Sequence, residues 1–373
     1  DVVSHGLFAA LSVLVVACPC AVGLATPVAL AAGLNKAARN HILIRDTSAL
    51  EQMRNVDVVV FDKTGTLTEG HPTVIGWLWA QGQEEHYKDV LLAAESTSDH
   101  PLAEAIVTAL EGEEQVIPAH LDGFENITGK GVRVAYQGAE YWVGSHKLLK
   151  DYQANLSDIL ADMLTQYESD GNSIVYFGRE NDLLAVIAIK DQLRVTSMEA
   201  IRELRIQDIE ICMLTGDGER TASSVAGSLG IMRFVADAMP DDKEDFIHKL
   251  QLQGKTVAMV GDGVNDAQAL SCADVSIAMG KGTDTLMDTA MITLRTSDLL
   301  LLPKVFRLSR QTVSLMYRNL FWAFIYNTVG IFVAAGVLYP VYDILLSPAL
   351  AGAAMALSCV SVALSSLRLS SRF

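Results

Sequence analysis

The string Asp62-Lys63-Thr64-Gly65-Thr66-Leu67-Thr68 follows directly on the apolar run Val58-Val59-Val60-Phe61. A β-branched run that halts at a turn reads as a buried parallel strand. Asp62 then stands at its carboxyl end, where open α/β sheets place their ligands. A carboxylate there can attack a phosphorus atom and hold the phosphoryl group as an acyl phosphate. Two further apolar runs end in the same manner: Ile211-Cys212-Met213-Leu214 leads into Thr215-Gly216-Asp217, and Val257-Ala258-Met259-Val260 into Gly261-Asp262-Gly263-Val264-Asn265-Asp266. Thr215 can donate its hydroxyl to a phosphoryl oxygen. Asp262 and Asp266, set among glycines, suit Mg²⁺, a hard ion that takes oxygen ligands and keeps waters. Between these runs, Pro240-Asp241-Asp242-Lys243 offers Lys243 as a cation to neutralise charge developing on a phosphoryl group.

In this order the pieces resemble the four-part site of the haloacid dehalogenase superfamily, and the string at Asp62 resembles the phosphorylation site of the P-type ATPases. The resemblance implies catalytic roles for Asp62, Lys63, Thr64, Thr215, Lys243 and Asp266. It also implies Mg²⁺ on Asp62, Thr64, Asp262 and Asp266, and nucleotide contacts at Gly216 and Asp217. One position separates a pump from a phosphatase. Many phosphatases of the superfamily carry a second aspartate two residues after the nucleophile, as general acid and base; here that residue is Thr64. Without a local base to activate water, the acyl phosphate persists until another group delivers one, as a transport cycle requires.

The 373 residues leave room for more than one domain, and half of them are hydrophobic. A net charge of −16 argues against a nucleic-acid partner. Three uncharged stretches, 6–35 (interrupted by Pro19 and Pro27), 319–342 and 344–367, account for the hydrophobicity. Each exceeds the roughly 20 residues needed to cross about 30 Å of hydrocarbon. The first lacks the basic start of a signal peptide. Lys36, Arg39 and Arg45, then Arg307, Arg310 and Arg318, then Arg368 and Arg372 mark the cytoplasmic ends, while the turn at 339–343 has no basic residue and is expected to face outward. The expectation is a multi-pass integral membrane protein, in contact with lipid, with its catalytic region cytoplasmic; the resemblance implies a bacterial inner membrane. The five cysteines, an odd number, form no secreted disulfide framework and fit a reducing compartment. Cys212 and Cys272 read as inert core residues.

The expected fold class is α/β: a haloacid-dehalogenase-like, parallel, doubly wound domain with an inserted α+β nucleotide-binding domain, flanked by transmembrane α-helices. Residues 1–38 form a membrane helix, 39–74 and 187–302 the two parts of the phosphorylation domain, 75–186 the insert, and 303–373 two more membrane helices. In the insert, helices are expected near 87–94, 102–110 and 156–167, and strands at 132–136, 141–143 and 173–177. The insert carries Glu95, His100-Pro101 and Gly129-Lys130-Gly131. Pro101 suits the first turn of a helix, with Ser98 or Asp99 as its cap. Behind a phosphorylation motif, this set resembles the nucleotide-binding domain of heavy-metal P-type ATPases. That resemblance implies ATP, with Glu95 and His100 on the adenine and close backbone approach at Gly129 and Gly131. Asp99 and Ser173 stand where many relatives carry Glu and Thr.

Cys18-Pro19-Cys20 lies inside the first apolar stretch. Proline breaks the helix ladder and turns two thiols toward one point, and thiolates select Cu(I), Ag(I), Zn(II) or Cd(II) over Mg²⁺ and Ca²⁺. The later stretches hold Tyr326-Asn327, Met355 and Ser358-Cys359 and no charge. This pattern resembles the copper-exporting branch, where Tyr-Asn and Met-x-x-Ser-Ser recur, with Cys359 replacing the second serine. It implies transport of Cu(I) or Ag(I) on Cys18, Cys20, Tyr326, Asn327, Met355 and Cys359, with delivery by a copper chaperone. No Thr-Gly-Glu string, which in such pumps positions the hydrolytic water, occurs. The chain therefore reads as the C-terminal portion of a pump, joined in the whole protein to an actuator domain and earlier helices. The alternatives are a zinc or cadmium exporter, an inactive truncated metal-binding remnant, and a soluble phosphatase, which the apolar spans and Thr64 disfavour.

Overall fold

The computed structural model describes residues 2–80, 84–98, 100–113, 116–154, 158–262, 266–280, 289–342 and 345–371. The chain divides into two units, Asp1–Asn55 with Leu301–Phe373, and Val56–Leu300.

The first unit is built on the helices Val2–Val16, Cys20–Arg39, Leu301–Ala334 and Pro348–Ser371, with a short strand β1 at Ile42–Ile44. Its first apolar stretch breaks at Cys18-Pro19 alone. Pro27, expected to interrupt it, stays inside the helix Cys20–Arg39, since one missing backbone hydrogen bond is tolerable where neighbouring helices pack. Two segments, His5–Arg39 and Pro348–Leu369, are long and apolar enough to cross a membrane. The stretch 319–342 is not one continuous helix. Its helix ends at Ala334, and the chain turns at Gly336 (φ +89°) before a helical turn at Tyr339–Tyr342. The helix that holds its first part, Leu301–Ala334, runs 34 residues, about 51 Å at about 1.5 Å per residue. Positions 343 and 344 lie outside the described residues. Small residues bring the helices close: a Cβ on Gly33 would stand 2.6 Å from Thr312 Oγ1, and one on Gly330 2.6 Å from Val16 Cγ1.

The second unit contains β2 (Val58–Asp62), β3 (Thr73–Trp79), β4 (Gly123–Ile127), β5 (Gly131–Tyr136), β6 (Ala139–Gly144), β7 (Ser173–Arg179), β8 (Asp182–Lys190), β9 (Glu210–Leu214), β10 (Arg233–Val235), β11 (Val257–Gly261), β12 (Val275–Met279) and β13 (Ile292–Leu294). Within it, β13-β12-β11-β2-β9-β10 lie side by side, all parallel. β2, β11 and β12 are buried along their whole length, so they read as continuous apolar runs rather than alternating ones. Val58, Val60, Cys212, Leu214 and Met259 pack against Ile247 and Leu250 of the helix Pro240–Leu252.

The insert is an antiparallel sheet in the order β3-β8-β7-β6-β5-β4. Side chains alternate between its faces. Phe177 and Ile187 pack with Leu91, Ile106 and Leu110 of the helices Glu84–Glu95 and Pro101–Glu111, while Tyr176 and Val186 pack with Trp142 and with Leu164 of the helix Asp158–Ser169. The sheet runs from Thr73 to Lys190, because β3 and β8 pair from one end to the other, Thr73 opposite Lys190. Leu156, in the helix expected at 156–167, lies outside the described residues.

Candidate functional site

β2, β9 and β11 are neighbours in one parallel sheet, so their carboxyl ends deliver Asp62, Thr215 and Asp262 to the same edge. The helix Pro240–Leu252 brings Lys243 there. Its Nζ donates to Asp62 Oδ1 at 2.6 Å and to Asp266 Oδ1 at 2.7 Å, and all three side chains are buried. Carboxylate oxygens of Asp62, Asp262 and Asp266 lie within 4.8 Å of one another. Burial, then the charges of Asp62 and Asp266, push Asp262 up to about 7. Burial and Asp62 likewise push Asp266 up to about 7 against the pull of Lys243. Burial would lower Lys243, but the two aspartates outweigh it and hold its pKa above the ordinary value. Three carboxylates around one ammonium are short of positive charge, and an all-oxygen donor set of this kind fits Mg²⁺. Gly263, Val264 and Asn265 lie outside the described residues.

This electrostatic debt gives a pH signature. Asp262 and Asp266 are raised from an ordinary 3.8 to about 7. Between those values the folded state holds protons that the unfolded state releases, so the cation-free protein loses stability as pH rises through that window. Mg²⁺ relieves the repulsion. It is expected to raise the unfolding temperature more at about pH 8 than at about pH 5; equal shifts at both would show that these carboxylates do not hold it.

The loop after Asp62 passes beneath Asp262. Gly65 has φ +69°, and a Cβ there would sit 1.4 Å from Asp262 Oδ2, so only glycine serves. Thr64 is half-buried in the extended part of this loop. The sequence reading missed its braces. Thr68 Oγ1 accepts from Gly65 N at 3.0 Å and donates to Asp191; Arg194 donates to the carbonyls of Thr66 (2.9 Å) and Gly65; Ser197 Oγ donates to Leu67 O at 2.7 Å. The available signal was Asp191-x-x-Arg194, directly after the apolar strand β8.

Lys63 turns to Asp217 rather than to Asp62. Its Nζ pairs with Asp217 and donates to Ser173 Oγ at 3.1 Å, while Ser173 Oγ donates to Asp217 Oδ1 at 2.9 Å. Thr215 Oγ1 accepts from Asp217 N at 3.1 Å. Burial would raise Asp217, but the charge of Lys63 and the hydrogen bonds from Lys63, Ser173 and Thr215 hold it below the usual carboxylate range. Ser173 belongs to the insert, so this network ties the insert to the phosphorylation layer. Gly216 has room around it: an added Cβ meets only Ala238 O, at 3.8 Å.

In the insert, His100 itself caps the helix Pro101–Glu111, its Nδ1 accepting from Leu102 N at 3.2 Å. Ser98, expected as a cap, instead accepts from His100 N at 3.3 Å, and Asp99 lies outside the described residues. Nε2 is then the protonated ring nitrogen and a donor. Desolvation lowers the His100 pKa, with Asp217 and Asp62 pulling it up and Lys63 down. Glu95 is buried, and desolvation raises it to about 7. A Cβ on Gly131 (φ +142°) would stand 2.1 Å from Val143 O, and one on Gly129 (φ +67°) 2.4 Å from Met239 Cε. Gly129 therefore faces Met239, the residue that precedes the Lys243 helix, while Gly131 lies against β6.

In the first unit, Cys18 and Cys20 are joined as a disulfide, with Cα atoms 5.5 Å apart. This corrects the expectation of two free thiols: the proline turn points both sulfurs at one place, where they bond. Asn327 Nδ2 lies 3.5 Å from Cys18 O, and Asn327 Oδ1 and Ser358 Oγ are buried with no hydrogen-bond partner among the described residues. On the last helix, Met355 packs with Val16 and Cys359 with Ala21, so the two straddle the cysteine turn. Tyr326 is 44% exposed and stacks on Trp322; the polar neighbour of the turn is Asn327 alone of the pair.

Residues 56–274 match the haloacid dehalogenase-like hydrolase family. The chain is 44% identical to a copper-exporting P-type ATPase of Legionella pneumophila, over 98% of this chain and 50% of that protein. It is 45% identical to a silver-exporting P-type ATPase of Salmonella typhimurium, over 99% of this chain and 44% of that one. The crystal structure of a zinc-transporting PIB-type ATPase in the E2.Pi state is similar with a TM-score of 0.66 at 34% identity, over 95% of this chain and 56% of that one. The catalytic domain of a CPx-ATPase, described for its changes on nucleotide binding, gives 0.61 at 28% identity, over 73% and 97%. The chain spans about half the length of the curated relatives it matches. It belongs to the haloacid dehalogenase-like hydrolase family, and its similarity to metal-exporting P-type ATPases holds over nearly its whole length.

Proposed function

We propose that this chain is the ATP-consuming and ion-binding portion of a pump that exports a soft monovalent ion, Cu(I) or Ag(I), through an aspartyl phosphate on Asp62. The observation that carries this reading is Lys243 bridging Asp62 and Asp266 at the sheet edge, with Thr64 where a hydrolytic base would stand. An Asp62 oxygen attacks the γ-phosphorus of ATP, forming the acyl phosphate as the bond to the bridging oxygen breaks and ADP leaves. The Lys243 ammonium neutralises the transferring oxygens. Mg²⁺, held by Asp62, Asp262, Asp266 and Thr64, would neutralise phosphate charge when bound. Turning the Thr215 hydroxyl from Asp217 lets it donate to a phosphoryl oxygen. With threonine at position 64 the acyl phosphate outlives its formation.

The nucleotide side of the proposal rests on Glu95, the His100 Nε2–H, Gly129 and Gly131, with Gly216 and Asp217 beneath. For the ion, reduced Cys18 and Cys20 are the thiolates and Met355 the thioether, with Cys359 and Asn327 beside them. Two thiolates balance a soft monovalent ion at low coordination number, whereas Zn²⁺ would want a fourth ligand. Multi-pass insertion in a plasma membrane, a cytoplasmic catalytic unit and loading by a copper chaperone belong to the same reading.

Incubation with γ-labelled ATP tests it. A hydroxylamine-labile, acid-stable label supports the pump chemistry, and absence of label supports the inactive remnant. His100 offers a finer check. His100→Ala is expected to weaken ATP binding about tenfold, the worth of about one good hydrogen bond. His100→Asn, which keeps a helix cap, should weaken it equally. Restored affinity in the asparagine variant would reduce His100 to its capping role.

A further inference from the structure

The helix Pro240–Leu252, which supplies Lys243, carries Glu244 and His248 one turn apart, on one face. The helix Ala267–Cys272, which follows Asp266, packs alongside it and ends at Cys272. Ligand atoms of Glu244, His248 and Cys272 lie within 4.8 Å of one another, and His248 Nε2 is 3.5 Å from Glu244 Oε1. Cys272 is half-buried, not the inert core residue its sequence surroundings imply.

Gln251 fixes the histidine. Its Nε2 donates to Cys272 O at 2.9 Å and to Asp274 Oδ2 at 3.3 Å, which leaves its Oε1 as the acceptor facing His248 Nδ1 at 3.2 Å. His248 therefore donates from Nδ1 and turns Nε2 to Glu244 and Cys272, where it ligates in the neutral ring. That is how metal-binding histidines are oriented: the far nitrogen donates to an oxygen while the near one ligates.

We propose that Glu244, His248 and Cys272 form a binding site for a borderline divalent cation of the Zn(II) class, with water as fourth ligand. One thiolate, one imidazole and one carboxylate match the three-ligand zinc sets that keep an open position, and the sulfur disfavours Mg²⁺ and Ca²⁺. Binding forms the metal–sulfur bond and releases the Cys272 thiol proton to solvent. The ion would tie the helix bearing Lys243 to the helix that follows Asp266, and so stiffen the two groups hydrogen-bonded to one another beside Asp62. It is distinct from the transported ion, whose proposed ligands belong to the other unit.

Co(II) reports the site, because thiolate ligation gives a near-ultraviolet charge-transfer band that oxygen ligation does not. The experiment uses the full chain in detergent with excess Mg²⁺ and with Cys18, Cys20 and Cys359 each replaced by Ser, which leaves Cys272 and the fully buried Cys212. One equivalent of Co(II) is expected to develop the band and to be displaced by Zn(II). Cys272→Ser should abolish the band. His248→Ala, at a side chain 51% exposed and so harmless to the fold, should weaken binding at least about tenfold, and Gln251→Leu about tenfold. Absence of the band in the parent, or its persistence unchanged in Cys272→Ser or His248→Ala, would overturn the site.

Discussion

Asp62→Asn is expected to remove all label transferred from ATP while leaving the protein folded and nucleotide-competent. The amide keeps the size of the carboxylate but has no anionic oxygen to attack phosphorus. The electrostatics favour the variant's fold. Asp62 is a cause of the raised values of both Asp262 and Asp266, so removing its charge lets both fall toward the ordinary carboxylate range. Lys243 keeps its partner Asp266 at 2.7 Å. Stability in the absence of Mg²⁺ should therefore hold or rise at neutral pH, which separates lost chemistry from lost structure. Label persisting on another residue would contradict the assignment of the nucleophile.

Lys243→Ala should damage both structure and chemistry. The substitution leaves Asp62 and Asp266 buried without their shared cation. Stranding buried charge by deleting one partner costs about 3–5 kcal/mol. The loss should depend on pH with a definite sign. Asp266 is held at about 7 even against the pull of Lys243, well above its unfolded value, so the penalty appears as pH rises and fades as Asp266 takes up a proton on acidification. Denaturant unfolding in chelator at about pH 8 and about pH 5 reads this directly. A large deficit at the higher pH and a small one at the lower is expected; equal deficits would assign the loss to packing instead. Phosphorylation should fall by about 10²–10³, the usual cost of a donor aimed at developing charge.

The strand ends were legible in the sequence because β2, β9 and β11 lie in a parallel sheet covered on both faces, so each appears as an unbroken apolar run closing on a polar turn. Lys243 was legible only through its order between the other pieces. The Lys63–Ser173–Asp217 network was not, since Ser173 reaches Lys63 across 110 residues of chain through an inserted domain. Nor were Asp191, which accepts from Thr68 Oγ1 and Gly70 N, and Arg194, which donates to the carbonyls of Gly65 and Thr66, because both brace a loop far away in sequence. In the first unit, composition marked the apolar stretches but not the helix ends: the turn at Gly336 divides residues that are equally uncharged on both sides. The cysteines were legible as a pair turned to one point by Pro19. Their bonded state was not, because residue spacing reports direction and says nothing of oxidation.

Joining this chain to the N-terminal half of the Legionella pneumophila relative, and measuring metal-dependent labelling of Asp62 under reducing conditions, tests soft-ion export most directly. Label formed from ATP should depend on Cu(I) or Ag(I), vanish in Cys18→Ser and Cys20→Ser, and weaken less in Met355→Ala. Labelling driven by Zn²⁺ or Cd²⁺ with none from Cu(I), or labelling indifferent to both cysteines, would contradict it.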